Sequence, residues 1–189
     1  MDKKLKISIV AFIALACFYI YDNSQQKRYQ EKNLEIFNFD HSKISKIIIL
    51  KNNDGIEIEK VDSLWSINGH DSLVVKNQSI DTFFDKSLMV QINSIPISNN
   101  PKDLSIYSLD DSLGINLILI DSDGNTLSNS VFGISPSNYY SSFYRDHDNQ
   151  IVYKTNSNII NYLTTNPSYW GEKPSEELPD STQIEPTSL

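Results

Sequence analysis

The 189-residue chain has one cysteine, six glycines and three histidines, and these small numbers exclude several classes of protein. A single cysteine cannot build a disulfide framework or a cysteine-rich zinc site. The few glycines provide no glycine-rich phosphate loop, and no Gly-x-Ser-x-Gly nucleophile elbow is present. With 16 basic and 24 acidic side chains the formal net charge is −8, which argues against nucleic-acid binding because phosphate contacts require clustered Lys and Arg.

The composition is that of a folded protein. Hydrophobic residues make up 39% of the chain and aromatic residues 11%, which is enough to build a packed core. The length allows one domain of ordinary size or two very small ones.

The N-terminus differs from the rest of the chain in charge and hydropathy. Residues 1–32 carry a net charge of +3, and a nearly uninterrupted apolar run occupies residues 7–21. Basic residues before an apolar run hold the N-terminus in the cytoplasm. The pattern predicts a single-pass signal anchor over residues 1–21 in the bacterial inner membrane, with the remaining chain in the periplasm.

Two alternatives remain for this segment. Residues 14–17 resemble a lipoprotein processing site, at which Cys17 would carry the lipid. Residues 14–16 also fit the small-x-small pattern of a cleaved signal peptide. The apolar run continues beyond both sites, which favours an uncleaved anchor, and all three interpretations place the bulk of the protein outside the inner membrane.

The two ends of the chain flank a folded region. Residues 22–36 are polar and charged and are predicted to form a juxtamembrane stalk. Residues 171–189 contain no aromatic residue, three prolines and a net charge of −4, so we predict a disordered acidic tail. The predicted extracytoplasmic domain therefore spans residues 37–170.

Strand and turn patterns occur twice in the same order within this region. Short apolar or alternating runs surround Asp-Gly turns, and each set of strands is followed by a helical pattern. We predict an α+β fold with two similar antiparallel β-meander plus helix units, at about 43–92 and 113–166, after one N-terminal transmembrane helix.

Clusters that could carry chemistry have simpler structural interpretations. Neighbouring carboxylates at Asp110 and Asp111 point in different directions, so a turn-capping role is preferred to acid–base catalysis. Residues 121–125 have a trace of a calcium loop, but Thr126 stands at the sixth position, where such a loop has Gly, and Phe132 at the twelfth, where it has Glu, which favours a hairpin turn. Residues 145–148 would need distant ligands to bind a metal. We predict no catalytic residue, metal site or cofactor.

Several short motifs lie in a characteristic order. They are Phe37–Asp40, Trp65–Ile67, Asp103–Ser112, Asp123–Gly124, Phe132–Gly133, Tyr144–Arg145 and Val152–Tyr153. Their order resembles that of the domain-of-unknown-function 4340 family of bacterial membrane-anchored envelope proteins, over roughly residues 37–170. Ser108 and Ser112 stand where the family pattern has Gly and Pro. The resemblance implies an envelope complex, because some relatives accompany ABC transporters linked to gliding motility.

Together these observations predict a membrane-tethered, non-catalytic domain that binds protein partners in a bacterial envelope complex. The candidate interaction surface consists of Tyr139, Tyr140, Tyr144 and Arg145, because tyrosine favours interfaces. The alternative is a periplasmic glycan or small-ligand binder, or an enzyme, that uses the region from Tyr139 to His147. That alternative requires a concave pocket with convergent polar groups.

Overall fold

The computed structural model of the chain describes residues 12–21, 32–136 and 138–174. Residues 12–21 form a helix, α1, whose side chains are exposed. In the described ranges no helix is both long enough and apolar enough to cross a membrane.

Short strands dominate the folded region. In chain order they are β1 (Asn33–Glu35), β2 (Ile44–Lys51), β3 (Asp54–Val61), β4 (Leu64–Ile67), β5 (Val74–Val75), β6 (Gln91–Asn93), β7 (Ile115–Asp121), β8 (Thr126–Gly133), β9 (Phe143–Asp146), β10 (Tyr153–Lys154) and β11 (Gly171–Glu172). Helix α2 (Asn77–Thr82) continues as a π-helix over Phe83–Ser87, and α3 spans Pro167–Trp170. Single 3₁₀ turns occur at His41–Lys43, Pro101–Asp103 and Ile160–Tyr162.

Seven strands form one antiparallel sheet in the order β10-β9-β8-β7-β2-β3-β4. Every neighbouring pair is consecutive in the chain except β2 and β7, which join the two halves of the sheet at its centre. In this central pair Ile47 lies opposite Leu119 and Ile49 lies opposite Leu117. Such runs of Ile and Leu suit central strands, because alternate side chains are buried on one face. Two small antiparallel pairs, β1–β6 and β5–β11, complete the strand pairing.

The hairpin turns follow the polar residues between the strands. Asp62 and Ser63 join β3 to β4 with positive φ angles of 48° and 72°, the conformation that two-residue hairpins of the primed type require. Asp121 accepts hydrogen bonds from the backbone N–H groups of Asp123 (3.0 Å) and Asn125 (2.8 Å) through Oδ1. The prediction of a hairpin turn at residues 121–125 is confirmed.

The main core lies between one face of the sheet and the helices. The apolar sheet residues with 0% exposure on this face are Ile47, Ile49, Ile58, Leu117, Leu119 and Phe132. Phe83 and Trp170, also 0% exposed, cover them, and their ring centroids lie 5.8 Å apart in an edge-to-face arrangement. Such aromatic pairs contribute large buried areas and favourable contact geometry.

A second, smaller core lies on the opposite face of the sheet, beneath the segment 101–114. Leu109, Val131 and Val152 are its buried members. Gly133 permits the close approach of this segment, because a Cβ there would overlap the carbonyl oxygen of Tyr107. Strand β8 therefore has buried side chains on both of its faces, with Phe132 in the main core and Val131 in the second.

The predicted fold class is wrong. The protein is mostly β-sheet with few helices, and the two predicted units are halves of one sheet, joined by β2 and β7. The second predicted helix is reduced to the 3₁₀ turn at Ile160–Tyr162. The predicted transmembrane helix is not found either, since only residues 12–21 are described as helical, about half of the ~20 residues that a span needs.

Two predicted boundaries also shift. Strand β1 lies inside the predicted stalk and pairs with β6, so the folded region begins before residue 37. Strand β11 lies inside the predicted acidic tail and pairs with β5, so the folded region continues past residue 170. The remaining parts of those predictions, residues 22–31 and 175–189, lie outside the described residues.

Candidate functional site

The four residues predicted to form an interaction surface are not brought together. Tyr139 and Tyr140 lie in the loop between β8 and β9 and are 84% and 87% exposed. Tyr144 is only 9% exposed and packs in the main core, with its ring centroid 5.5 Å from that of Phe132. Burial raises the pKa of the Tyr144 hydroxyl. Because successive strand residues point to opposite faces, Arg145 lies on the other side of the sheet from Tyr144.

Arg145 ties β9 to the segment that covers the second core. Its side chain is 7% exposed, and Nε donates to the carbonyl oxygen of Leu109 at 2.9 Å. Its Nη1 donates to the carbonyl oxygens of Asp146 (3.2 Å) and His147 (2.6 Å). Nη2 lies 3.7 Å from a carboxylate oxygen of the exposed Asp111. Three of the five N–H groups therefore serve the fold, which makes Arg145 a structural cation.

A cleft of about 240 Å³ opens beside Arg145. It is lined by Leu50, Asn52, Asp110, Asp111, Gly114, Asn116, Val131, Arg145 and His147. Asp110 in this cleft caps the adjacent turn, because its Oδ1 accepts from the backbone N–H groups of Ser112 (3.1 Å) and Leu113 (2.9 Å). The Ser112 hydroxyl, which also donates to Oδ1, lowers the pKa of the Asp110 carboxyl. The prediction of a capping role near residues 110–111 is confirmed.

A second cleft of about 280 Å³ lies at the other end of the predicted Tyr139–His147 region. It is lined by Asn33, Asn93, Asn138, Tyr140, Ser141, Lys154, Thr155 and Asn156, and we call it the asparagine cleft. The two clefts share no lining residue, so Tyr140 and His147 do not face one pocket. Lys154 supplies a positive charge, and the described lining of the asparagine cleft includes no carboxylate.

Strand pairing assembles the asparagine cleft from distant parts of the chain. Asn33 of β1 lies opposite Asn93 of β6. Asn156, which follows β10, donates its backbone N–H to the carbonyl oxygen of Gln91 at 2.8 Å. Lys154 of β10 lies opposite Phe143 of β9. The cleft therefore forms where β6 and β10 meet at the edge of the large sheet.

Three of the asparagine side chains are held in one orientation. The Oδ1 atom accepts a backbone hydrogen bond in Asn93 (from Ile95, 3.0 Å), Asn138 (from Tyr140, 2.9 Å) and Asn156 (from Gln91, 3.0 Å). These bonds determine which end of each amide is the oxygen. The Nδ2 groups of the three residues donate no hydrogen bond to the described chain, so each remains a donor.

Ser141 is a buried polar residue in the wall of the asparagine cleft. It is 4% exposed, and its Oγ has no hydrogen-bond partner in the described chain. The adjacent Ser142 differs, because its hydroxyl lies 2.9 Å from Thr155 Oγ1 and its backbone N–H donates to the same oxygen at 2.7 Å. A buried hydroxyl without a partner costs about 1–3 kcal/mol. The Ser141 hydroxyl is therefore an unsatisfied polar group in the wall of the cleft.

Metal binding and lipidation are two further kinds of chemistry that the sequence raised. Within residues 12–21, 32–136 and 138–174 no group of three His, Cys, Asp or Glu side chains could hold a metal ion. Cys17 is exposed on α1, and its predicted lipidation stays a prediction.

Sequence analysis did not single out the asparagines or Lys154. Asn33, Asn93 and Asn156 are separated by about sixty residues each in the sequence. They lie in different predicted segments, and no local pattern links them. Only the strand pairs show that they share a cleft.

Comparison of the chain with protein-family models, with curated proteins and with solved structures finds no match. The resemblance to the domain-of-unknown-function 4340 family therefore rests on the sequence motifs alone.

Proposed function

We propose that this protein is a non-catalytic, extracytoplasmic binding domain, held at a bacterial inner membrane by its apolar N-terminal segment, that contacts protein partners in an envelope complex. The observation that carries the proposal is the side-by-side exposure of Tyr139 and Tyr140. The envelope setting, and an ABC transporter as the kind of partner, derive from the sequence motifs.

The tyrosine pair is distinct from the other aromatic residues of the fold. In residues 32–136 and 138–174, only Tyr139 and Tyr140 are aromatic side chains with a large exposed fraction. Tyrosine is enriched at protein interfaces, since it offers a large apolar area and a hydroxyl and loses little side-chain entropy on binding. Two such rings on one loop supply the aromatic anchor that a protein interface requires.

The N-terminal segment supports attachment to a membrane. On α1, Phe12, Ile13, Leu15 and Phe18 are between 55% and 74% exposed. An apolar helix exposed on all sides is unfavourable in water, whereas lipid accommodates it. The basic residues that precede it favour a cytoplasmic N-terminus, which supports an extracytoplasmic position for the sheet.

Site-specific photocrosslinking in intact cells tests the proposed contact. A photoreactive phenylalanine analogue replaces Tyr139 or Tyr140, and the matched control carries it at Leu64, which is 75% exposed on β4 at the opposite edge of the sheet. We expect discrete protein adducts from the two loop positions and none of the same mass from position 64. Identical adducts from all three positions, or none from the loop, would contradict the proposal.

Protease accessibility tests the proposed side of the membrane. Protease added to intact spheroplasts is expected to digest the folded region without lysis, while a cytoplasmic marker protein in the same sample stays intact. Digestion that occurs only after lysis would place the domain in the cytoplasm and refute the extracytoplasmic assignment.

A further inference from the structure

We propose that the asparagine cleft binds an acidic carbohydrate, a sugar ring that bears a carboxylate. This inference goes beyond the proposed function, because such a ligand requires no protein partner. It rests on the donor chemistry of the cleft, on the unpartnered Ser141 hydroxyl and on the exposed ring of Tyr140.

The cleft presents hydrogen-bond donors and needs a ligand rich in acceptors. Backbone bonds to the oxygens of Asn93, Asn138 and Asn156 fix the direction of each amide, and no described residue accepts a hydrogen bond from their nitrogens. Lys154 adds three further donors and a positive charge. Sugar hydroxyls and a carboxylate supply oxygen acceptors, and the carboxylate places a negative charge near Lys154, where the described lining offers none.

The Ser141 hydroxyl is an unsatisfied group that a sugar hydroxyl can satisfy. Its Oγ is buried in the cleft wall, and no described residue accepts from it or donates to it. A serine hydroxyl can donate one hydrogen bond and accept others. A sugar hydroxyl has the same two capacities, so a single sugar can satisfy Ser141 together with the neighbouring amides.

Tyr140 distinguishes a sugar from a simple anion. Tyr140 lines the cleft and is 87% exposed, so its ring is accessible to a ligand. The face of an aromatic ring carries partial negative charge, which favours the C–H groups on the flat side of a sugar ring and disfavours a bare anion. The cleft volume of about 280 Å³ also exceeds what one small anion fills.

Titration of the full-length chain with three probes tests the assignment. The probes are methyl β-D-glucuronide, methyl β-D-glucoside and acetate, which separate the acidic sugar from its neutral counterpart and from the carboxylate alone. Lipid nanodiscs or a sugar-free detergent hold the protein, because glycosidic detergents would compete. We expect the glucuronide to bind at least fivefold more tightly than the glucoside, and acetate to bind without saturation.

Variants assign the binding to the cleft. Lys154→Gln is expected to remove the preference for glucuronide over glucoside, and Tyr140→Ala is expected to weaken both sugars at least threefold. Two controls should keep the affinities of the unmodified protein. Tyr139→Ala alters the neighbouring exposed ring that does not line the cleft, and Lys60→Gln removes an exposed charge from β3, near the opposite edge of the sheet.

Ser141→Ala separates ligand binding from folding. The substitution removes a buried hydroxyl that has no partner in the described chain, so the free energy of unfolding should not fall. The affinity for glucuronide is nevertheless expected to fall three- to tenfold, which is the loss of one hydrogen bond. A loss of stability with unchanged affinity would contradict this role of Ser141.

The results also separate this inference from the proposed protein contact. Equal affinities for the two sugars would contradict the requirement for an acidic group. Saturable binding of acetate with the affinity of the glucuronide would contradict the requirement for a sugar ring. No binding of either sugar overturns the whole inference. None of these outcomes changes the crosslinks at Tyr139, and Lys154→Gln should leave those crosslinks intact.

Discussion

The substitution Gly133→Ala tests whether the segment 101–114 is held against the sheet by close backbone contact. A methyl group at Gly133 would overlap the carbonyl oxygen of Tyr107 and lie 2.8 Å from that of Ser108. Both atoms belong to the backbone, so no side-chain rotation relieves the overlap. The segment must move away from β8 to accommodate it.

The expected cost follows from what this movement breaks. Overpacking at a closely packed site costs about 1–3 kcal/mol. Moving the segment also lengthens the hydrogen bond from Arg145 Nε to the Leu109 carbonyl oxygen, and a bond from a charged donor is worth about 1.5–3 kcal/mol. We therefore expect the free energy of unfolding to fall by roughly 3–5 kcal/mol.

Gly124→Ala is the matched control, because it adds the same methyl group without a collision. A Cβ at Gly124 meets no heavy atom of the described chain within 4 Å, but the φ angle is +84°. The left-handed conformation costs a non-glycine residue about 1–2 kcal/mol. Gly133 has no positive φ, so a loss of stability there comes from the close contact, whereas the loss at Gly124 comes from the backbone conformation alone.

Urea unfolding of the detergent-solubilised chain, followed by tryptophan fluorescence, measures both variants, because Trp170 is fully buried in the main core. Limited proteolysis adds a local readout, and Gly133→Ala should speed cleavage within residues 101–114. A Gly133→Ala protein as stable as Gly124→Ala, with unchanged cleavage, would show that the segment is not closely packed on β8.

Three further predictions concern contacts elsewhere in the fold. Trp170→Phe removes the hydrogen bond from the indole N–H to the Thr164 carbonyl oxygen (2.8 Å) and leaves unfilled volume, so urea unfolding should show a loss of about 2 kcal/mol. Asp110→Asn should cost about 1 kcal/mol at pH 7; because the folded pKa of Asp110 is lowered, the difference from the unmodified protein should shrink as pH falls below the ordinary Asp value of 3.8 and vanish below the lowered folded pKa. Lys46→Met should cost less than about 1 kcal/mol, and because hydrogen bonding to Glu57 raises the pKa of Lys46, the difference should persist to about pH 10 and shrink only at higher pH.

Local structure was predictable where neighbouring residues determine it. The carboxylates of Asp110 and Asp121 accept hydrogen bonds from backbone groups two to four residues ahead, and such contacts are contained in the sequence pattern. The alternation of apolar residues likewise predicted most strands of both meanders.

The fold class depended on a contact that no local pattern contains. Strands β2 and β7 are separated by more than sixty residues, yet their pairing turns two meanders into one sheet. Ile48 and Ile118, opposite one another in this pair, are only partly buried on the outer face. An alternating strand pattern shows which face of a strand is buried but not which strand lies beside it. The same sequence pattern is therefore compatible with one sheet and with two separate sheets.

The candidate site was hidden from sequence analysis for the same reason. The prediction of an interaction surface relied on tyrosine, which is common at interfaces. It selected the exposed Tyr139 and Tyr140, but also Tyr144, whose side chain points into the core because side chains alternate along β9. The asparagines that line the cleft carry no such signal, because isolated asparagine is typical of turns. Their chemistry emerges only when backbone groups occupy each amide oxygen and leave the nitrogen unpaired.

The connectivity limits where any ligand of the cleft can be found. Asn33, in the cleft lining, follows the last residue of α1 by twelve positions. A polypeptide spans at most ~3.3–3.6 Å per residue, so the cleft cannot lie more than about 45 Å from the end of α1, whatever path the intervening chain takes. If α1 is embedded in a membrane, as its exposed apolar side chains favour, the cleft and the adjoining loop with Tyr139 and Tyr140 face partners and glycans close to that membrane. A ligand confined to the distant parts of the envelope would be out of reach, which makes the length of residues 22–32 a determinant of what this protein can bind.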